Sequence, residues 1–216
     1  MNESSAAEMR SAMIDCQLRP TDVSNTGVIA AMGAVARENF VPAALASVAY
    51  MDRPIALGEG RFLNAPLVCG RILTKAAVVP GERAMLIGAG SGYMAALLAE
   101  MGADVVAVEE NAALAASAPE EARSDAIRWV SAPLTEGAAD HAPYQLIIID
   151  GAVDALPDAI EDQLAEGGRL IGALRDGAVS RLVYGVKING TLTLHRFADM
   201  DVALLPGFAA PKAFQF

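Results

Sequence analysis

The fold is decided by the stretch Ala84-Met85-Leu86-Ile87-Gly88-Ala89-Gly90-Ser91-Gly92-Tyr93. Its first four residues form a short apolar run of the kind that a buried strand needs, and three glycines follow at alternate positions. Glycine lets the backbone turn tightly and lets a ligand approach without meeting a Cβ atom. A helical pattern then runs to about Met101, and Gly102 stands where a helix C-cap glycine belongs. The stretch therefore predicts a strand, a ligand-binding turn and a helix.

An acidic residue closes the next apolar run, and it bears on which ligand the turn binds. A carboxylate in the place of Glu109 can accept hydrogen bonds from both hydroxyls of a ribose. Glu110 adds a second negative charge, which disfavours a pyrophosphate but tolerates a sulfonium and an amino group. The spacing is GxGxG rather than GxGxxG, and no Lys-Ser or Lys-Thr pair follows it, which excludes a P-loop.

These features predict S-adenosylmethionine as the cofactor. The predicted cofactor contacts are Gly88, Ala89, Gly90, Ser91, Gly92, Glu109 and Glu110. The alternative, a tight turn in a ligand-free sheet with Glu109 capping a solvated strand end, stays open at this point.

The remaining apolar runs predict an α/β architecture. Five runs separated mostly by helix-length segments indicate a parallel sheet covered on both faces: 84–87, 105–109, 127–131, 146–150 and 169–174. Two further runs, 181–188 and 192–197, flank Asn189-Gly190, a strong signal for a two-residue hairpin turn. We predict a doubly wound, Rossmann-like sheet of the class I methyltransferase type, mostly parallel, with a C-terminal antiparallel hairpin and an N-terminal helical extension.

The segment before the sheet reads as helical. Met9, Ala12, Met13, Cys16 and Gln17 fall on one stripe of a first helix, and further helices are predicted over 25–36 and 42–49. Residues 52–65 predict a loop, and Pro66 suits the first position of the next helix. We divide the chain into residues 1–65, the helical extension with an active-site loop, and residues 66–216, the cofactor-binding α/β domain, forming one structural unit.

Composition narrows the class of protein. A chain with 54% hydrophobic and 19% charged residues is not disordered, and its net charge of −10 makes nucleic acid and anionic lipid poor partners. No apolar run is long enough to span a membrane, and the first residues lack the pattern of a signal peptide. We expect a cytoplasmic monomer or homodimer that binds neither nucleic acid nor membrane, with Cys16 and Cys69 as two free, buried thiols.

The scarcity of candidate bases favours a carboxyl group as the methyl acceptor. His141 and His195 are the only histidines, and we expect both to be surface or hairpin residues. A carboxylate is already anionic at neutral pH, so positioning alone can carry its methylation. The predicted loop ends at a helix N-terminus, which attracts anions, and it offers Arg61 and Asn64 as donors and candidate catalytic residues. The alternative places Asn64 in a helix cap and Arg61 in solvent.

Several segments, in this order, resemble the protein-L-isoaspartate (D-aspartate) O-methyltransferase family over nearly the whole chain. They are Gln17-Leu18-Arg19, VARENFVP at 35–42, AYMD at 49–52 with LGEG at 57–60, Ala65-Pro66, IGAGSGY at 87–93, APY at 142–144 and QLAEGGRL at 163–170. Members of that family use S-adenosylmethionine to methylate the abnormal carboxyl of isoaspartyl residues in damaged proteins. The resemblance implies this repair activity, on an isoaspartyl protein or peptide or on a related small carboxylate.

The resemblance also assigns residues, and here the chain departs from the family pattern. The family has Gln, Thr, Ile and a hydroxyl residue where this chain has Arg61-Phe62-Leu63-Asn64, and an acid where it has Leu86. Ala132 replaces the Asp that contacts adenine, and Asp150 replaces a Thr that closes strand four. By this resemblance Leu63, Asn64, Ala132 and Asp150 join the predicted cofactor contacts.

Two alternatives stay open on these departures, and so does the position of one C-terminal segment. Asp150 and Asp176, after the fourth and fifth strands, are similar to the carboxylates of cation-dependent O-methyltransferases, which suggests a magnesium-dependent enzyme with another small acceptor. Leu86 and Ala132 suggest a non-catalytic module that retains the fold. The segment Leu204-Leu205-Pro206-Gly207-Phe208 lines the acceptor site or covers the hairpin.

Overall fold

The computed structural model describes residues 3–208. Its strands are β1 (Ile55–Gly58), β2 (Arg61–Leu63), β3 (Arg83–Ile87), β4 (Asp104–Val108), β5 (Ile127–Val130), β6 (Tyr144–Val153), β7 (Leu164–Asp176), β8 (Val179–Ile188) and β9 (Thr191–Asp199). Its α-helices are α1 (Glu3–Met13), α2 (Thr26–Ala34), α3 (Pro66–Ala76), α4 (Tyr93–Glu100), α5 (Ala112–Ala116) and α6 (Asp158–Asp162).

Seven strands form one sheet in the order β5-β4-β3-β6-β7-β8-β9. The five strands from β5 to β7 are parallel, and β8 and β9 add an antiparallel hairpin at one edge. The turn between β8 and β9 has positive φ at both Asn189 (51°) and Gly190 (75°), as the predicted two-residue turn requires. The predicted fold class is therefore confirmed.

Both faces of the sheet are buried at its central strands, such as β3, which explains the uninterrupted apolar character of these strands. Successive side chains of a strand point to opposite faces, so Ala84 and Leu86 of β3 join one hydrophobic cluster while Met85 and Ile87 join another. The first cluster also contains residues of the N-terminal segment, such as Met32, so that segment packs on the sheet. Among residues 3–208, no helix combines the length and apolar character that crossing a membrane requires.

The first helix changes its winding, and this corrects one prediction. Helix α1 continues into a π-helical turn, Ile14–Leu18, in which i→i+5 bonding places more residues in each turn. The buried face differs from the predicted stripe: Met13 and Leu18 are fully buried, whereas Ala12 and Cys16 are exposed. The prediction of two buried thiols is correct for Cys69 and wrong for Cys16.

The two thiols are expected to react very differently. Burial raises the pKa of the Cys69 thiol to about 12, so only about one molecule in ten thousand carries the reactive thiolate at pH 8. In a titration with Ellman's reagent, we expect one rapid equivalent from Cys16 in the native protein and a second only in denaturant. A Cys16→Ser variant is the control and should give no rapid equivalent. Two rapid equivalents from the native wild type would contradict the buried position of Cys69.

The predicted loop over 52–65 contains a hairpin, which is the second correction. Strands β1 and β2 pair antiparallel, with Ile55 opposite Leu63. Along β2 the side chains alternate, since Arg61 and Leu63 are buried and Phe62 is exposed. The sequence did not indicate this strand, because its charged residue, Arg61, is buried and its aromatic residue, Phe62, is exposed. The helices near it are shorter than predicted, with α2 ending at Ala34 and a 3₁₀ helix over Ala43–Val48.

Candidate functional site

The candidate site lies where β3, β4 and β6 end. Strand β3 lies between β4 and β6, and the crevice beyond the carboxyl ends of such strands is where open α/β sheets bind ligands. Gly88, Gly90 and Gly92 have φ angles of 78°, 57° and 94°, so each occupies a conformation that favours glycine. The amides of Gly88 and Ala89 donate to the Val108 carbonyl at 3.0 and 3.1 Å, which fixes the loop against the end of β4.

Glu109 follows β4 directly and faces this loop. It is 1% exposed, and its carboxylate forms a two-pronged ion pair with the Arg61 guanidinium, with Nη1–Oε1 at 2.7 Å and Nη2–Oε2 at 2.9 Å. The Asn111 amide donates to Oε1 at 2.9 Å, and the Gly90 amide donates to Oε2 at 2.7 Å. A carboxylate has about four lone-pair sites, and these four bonds fill them. In this structure Glu109 has no acceptor capacity left for ribose hydroxyls.

The C-terminal segment, which comprises residues 200–208 after β9, lies on the other side of the crevice. The Ala152 amide donates to the Ala203 carbonyl at 2.8 Å, and the Leu205 amide donates to the Ala152 carbonyl at 2.9 Å. These bonds place the Leu205 side chain over the glycine loop, where a Cβ atom on Gly88 would lie 2.7 Å from Leu205 Cδ1 and 3.3 Å from Arg61 Nη2. Gly88 has no side chain, and Leu205 and Arg61 therefore lie in the space that a side chain at this position would take. The sequence left the position of this segment open, and the structure places it at the crevice.

Asn64 connects the hairpin to two other elements. Its amide nitrogen donates to Asp150 Oδ1 at 2.8 Å, and its amide oxygen accepts from the Ala203 amide at 3.1 Å. It does not cap α3, whose first residue is the predicted Pro66; the Leu67 amide of that helix donates to Asp52 Oδ1 at 3.0 Å instead. Asn64 therefore holds β6 and the C-terminal segment together at the crevice.

Burial raises the pKa of the Asp150 carboxyl above its usual range, and the Asn64 amide, Arg61 and Arg37 oppose this only in part. Because the folded-state pKa lies above the unfolded one, the folded chain keeps a proton in a pH window where the unfolded chain has lost it. Stability therefore falls as pH rises through that window and is constant above the folded-state pKa.

We expect Asp150→Asn to remove this pH dependence, because asparagine does not titrate and still accepts the bond from Asn64. The free energy of unfolding of the variant relative to wild type should rise with pH from about 4, the usual aspartate pKa, and then level off. Urea unfolding at a series of pH values measures this difference. A difference that stays constant with pH would show that burial does not perturb Asp150.

Arg37 is a buried residue that contacts the backbone of Asn64 and the ring of Tyr93. In the sequence, only the family resemblance drew attention to the segment that contains it. It is 0% exposed, and its guanidinium donates from Nε to the Ala49 carbonyl at 2.7 Å and from Nη2 to the Asn64 carbonyl at 2.5 Å. The guanidinium carbon lies 4.9 Å from the centroid of the Tyr93 ring, at the start of α4. Arg37 therefore links the backbone of Asn64 to the helix that follows the glycine loop.

The other predicted residues are more scattered. Ser91 is buried and donates to the Phe40 carbonyl at 2.6 Å, whereas Glu110 is exposed and Ala132 is partly exposed. His195 is exposed on β9, and His141 is partly exposed before β6. The assignment of Ser91, Glu110 and Ala132 to the cofactor stays a prediction.

The two carboxylates on which the magnesium alternative depends are both bonded to other side chains. Asp176 is exposed and paired with Arg181 and Arg196 at the end of β7, while Asp150 is bonded to Asn64. Across the part of the chain that is described, no three or more His, Cys, Asp or Glu side chains are grouped so that they could hold a metal ion.

A cavity lies beside the glycine loop. This cavity, of about 330 Å³, is lined by Ser91, by the hairpin residues 57–59, by residues 39–42 and by Ala113, Leu114 and Ser117 around α5. None of Gly88, Gly90 and Glu109 lines this cavity.

Comparison with known proteins decides the family. A sequence model of the protein-L-isoaspartate(D-aspartate) O-methyltransferase (PCMT) family matches residues 8–202. The chain belongs to this family. Among PCMT relatives, the protein-L-isoaspartate O-methyltransferase of Methylorubrum populi is 40% identical over 75% of this chain and 77% of its own length. That of Alkalilimnicola ehrlichii is 36% identical over 88% of this chain and 89% of its own length.

Solved PCMT structures agree with the fold. A protein described as a PCMT from Plasmodium falciparum, crystallised with S-adenosyl-L-homocysteine, matches with a TM-score of 0.78 at 21% identity, covering 93% of this chain and 97% of that one. A second solved protein-L-isoaspartate O-methyltransferase also matches with a TM-score of 0.78, and this chain spans 66% of its length.

Proposed function

We propose that this chain is an S-adenosylmethionine-dependent methyltransferase that esterifies the abnormal carboxyl of L-isoaspartyl or D-aspartyl residues in damaged proteins. The observation that carries the proposal is the PCMT family match over residues 8–202. The glycine loop and Glu109 support it, because they stand at the crevice where such a sheet binds ligands.

The residues of the crevice are of the types that the cofactor needs, although side chains of the protein occupy the space that the cofactor would take. Gly88, Gly90 and Gly92 carry no Cβ atom and adopt the positive φ angles that glycine favours, and Glu109 is an acceptor of the kind a ribose needs. When bound, S-adenosylmethionine supplies an electrophilic methyl group. Arg61 and Leu205 occupy this crevice in the structure, so binding requires both side chains to leave it.

A carboxyl acceptor fits the polar groups at the crevice. Asp150 and Asn64 already bond to each other, and both histidines lie on partly or fully exposed positions of other elements. An isoaspartyl carboxylate is anionic at neutral pH and requires no base from the protein. Asn64 and Arg61 are the groups we assign to orienting that carboxylate, as hydrogen-bond donors.

The assay is methyl ester formation on an isoaspartyl peptide at saturating S-adenosylmethionine, with the aspartyl peptide of the same sequence as control. We expect esterification of the isoaspartyl peptide alone, and unchanged rates for His141→Ala and His195→Ala because neither histidine acts as a base. Absence of ester on both peptides, in a protein that binds S-adenosylhomocysteine, would contradict the proposed substrate. Loss of activity in either histidine variant would contradict the proposed chemistry.

The proposal includes a cytoplasmic location and a monomer or homodimer, consistent with repair of other proteins. A different, magnesium-dependent acceptor is the outcome to consider if only a small diol is methylated and the reaction stops on removing magnesium. A non-catalytic module is the outcome if the chain binds no cofactor.

A further inference from the structure

Two side chains of this protein occupy the crevice that the proposed function assigns to the cofactor. Arg61 reaches it from β2 and Leu205 from the C-terminal segment, and they lie on the same face of Gly88. Leu57 of β1 covers the neighbouring Gly90, where a Cβ atom would lie 3.3 Å from Leu57 Cδ1. We call Arg61 and Leu205 together the latch.

Within the latch, Arg61 is bonded to the acid that we assign to the ribose of the cofactor. Arg61 is 4% exposed and uses both terminal nitrogens on Glu109, the one acid that the loop itself contacts through the Gly90 amide. This ion pair neutralises the charge of Glu109 and occupies acceptor sites of its carboxylate. A nucleoside ligand therefore competes with an internal guanidinium for the same two oxygens.

Both elements that carry the latch are attached by few bonds. Within the described residues, β1 and β2 pair only with each other and join no strand of the seven-stranded sheet, and their turn at Glu59 and Gly60 is exposed. The C-terminal segment is held by two backbone bonds to Ala152 and by the Ala203 amide, which donates to the Asn64 side chain. A cavity of about 240 Å³ lies beside it, lined by Gly60, Ala152 and residues 204–208 among others. Neither element contributes a strand to the seven-stranded sheet.

We propose that the latch is an internal competitor of the cofactor, so that this chain binds S-adenosylmethionine only from an open conformation in which Arg61 and Leu205 have left the crevice. This inference rests on the proposed function for the identity of the cofactor. The apparent dissociation constant of a ligand rises by the inverse of the fraction of protein that is open. An open state populated at about 1–10% weakens binding by about 10- to 100-fold.

The test is calorimetric titration with S-adenosylhomocysteine of the full-length wild type and two variants that open the crevice. Arg61→Gln removes the guanidinium but retains an amide that donates to Glu109, and Leu205→Ala uncovers Gly88. We expect each variant to bind at least about tenfold more tightly than wild type. Thermal melting confirms that each protein is folded before titration.

Two matched controls separate the latch from general destabilisation. Arg169→Gln breaks another largely buried pair, Arg169–Glu82 at 2.8 Å, away from the crevice. Leu204→Ala shortens the neighbouring leucine, which is 50% exposed. Both controls should retain the wild-type affinity within about twofold, because neither residue covers the glycine loop.

Each outcome decides the proposal. Equal affinity of wild type and both latch variants overturns it, and if all of them bind tightly and the wild type esterifies isoaspartyl peptide, the proposed function stands without the latch. Tighter binding by Leu205→Ala, with no esterification by that variant or by the wild type, supports the latch and contradicts the proposed substrate. If neither wild type nor the latch variants bind S-adenosylhomocysteine, opening the crevice does not create a cofactor site, and both proposals fail.

Discussion

Replacing Glu109 with alanine is expected to lower the free energy of unfolding by about 3–5 kcal/mol, the usual cost of leaving one partner of a buried ion pair uncompensated. Arg61 is 5% exposed in its side chain and Glu109 is 0% exposed, so the guanidinium left behind has almost no access to water. The amides of Gly90 and Asn111 lose their acceptor in the same variant. Urea unfolding, with the midpoint and slope both fitted, measures the loss.

The matched control is an exposed pair of the same chemistry. Arg19 and Asp15 lie 3.3 Å apart with side chains 57% and 62% exposed, and Asp15→Ala should cost no more than about 0.5 kcal/mol. The double variant Arg61→Leu with Glu109→Leu should be more stable than Glu109→Ala, because it leaves no buried charge without a partner. A loss below about 1 kcal/mol for Glu109→Ala would mean that water reaches Arg61 and that the crevice is open in solution.

The second large effect is expected at Gly92, the last glycine of the loop. Its φ is 94°, and a Cβ atom there would lie 2.7 Å from Ala122 Cβ and 3.0 Å from Trp129 Cζ2. Gly92→Ala therefore adds the cost of a left-handed alanine, about 1–2 kcal/mol, to that of overpacking, about 1–3 kcal/mol. We expect a total loss of about 3 kcal/mol, again measured by urea unfolding.

Gly81 separates these two contributions. Its φ of 82° is similar, but a Cβ atom there meets nothing within 4 Å. Gly81→Ala should therefore cost only the backbone term, about 1–2 kcal/mol. Equal losses for the two variants would show that the Ala122 and Trp129 contacts yield without cost.

The cofactor crevice shows why a correct motif does not by itself describe a site. The loop, the acid after β4 and the hairpin donors were all identified in the sequence, and the structure brings them together. Arg61 was predicted to bind a carboxylate, and it does bind one, but the carboxylate belongs to Glu109. A basic residue on a predicted site loop, together with an acid lining the same site, is the signal that points to such an internal pair.

Sequence alone determined the parts of this protein that depend on local pattern. Continuous apolar runs specified the parallel strands because both faces of the sheet are covered, and the glycine spacing and Asn189-Gly190 specified two turns through the conformations that only such residues readily adopt. These signals operate between residues that are close along the chain.

Only the tertiary structure decided what fills the crevice. Arg61 and Glu109 are 48 positions apart, and Asn64 meets the Ala203 amide 139 positions away, so no local pattern encodes either contact. The π-helical turn over Ile14–Leu18 and the exposure of Cys16 are likewise features that the apolar stripe of the sequence did not indicate. Such contacts form where strand ends and chain segments converge, and that convergence is a property of the sheet topology.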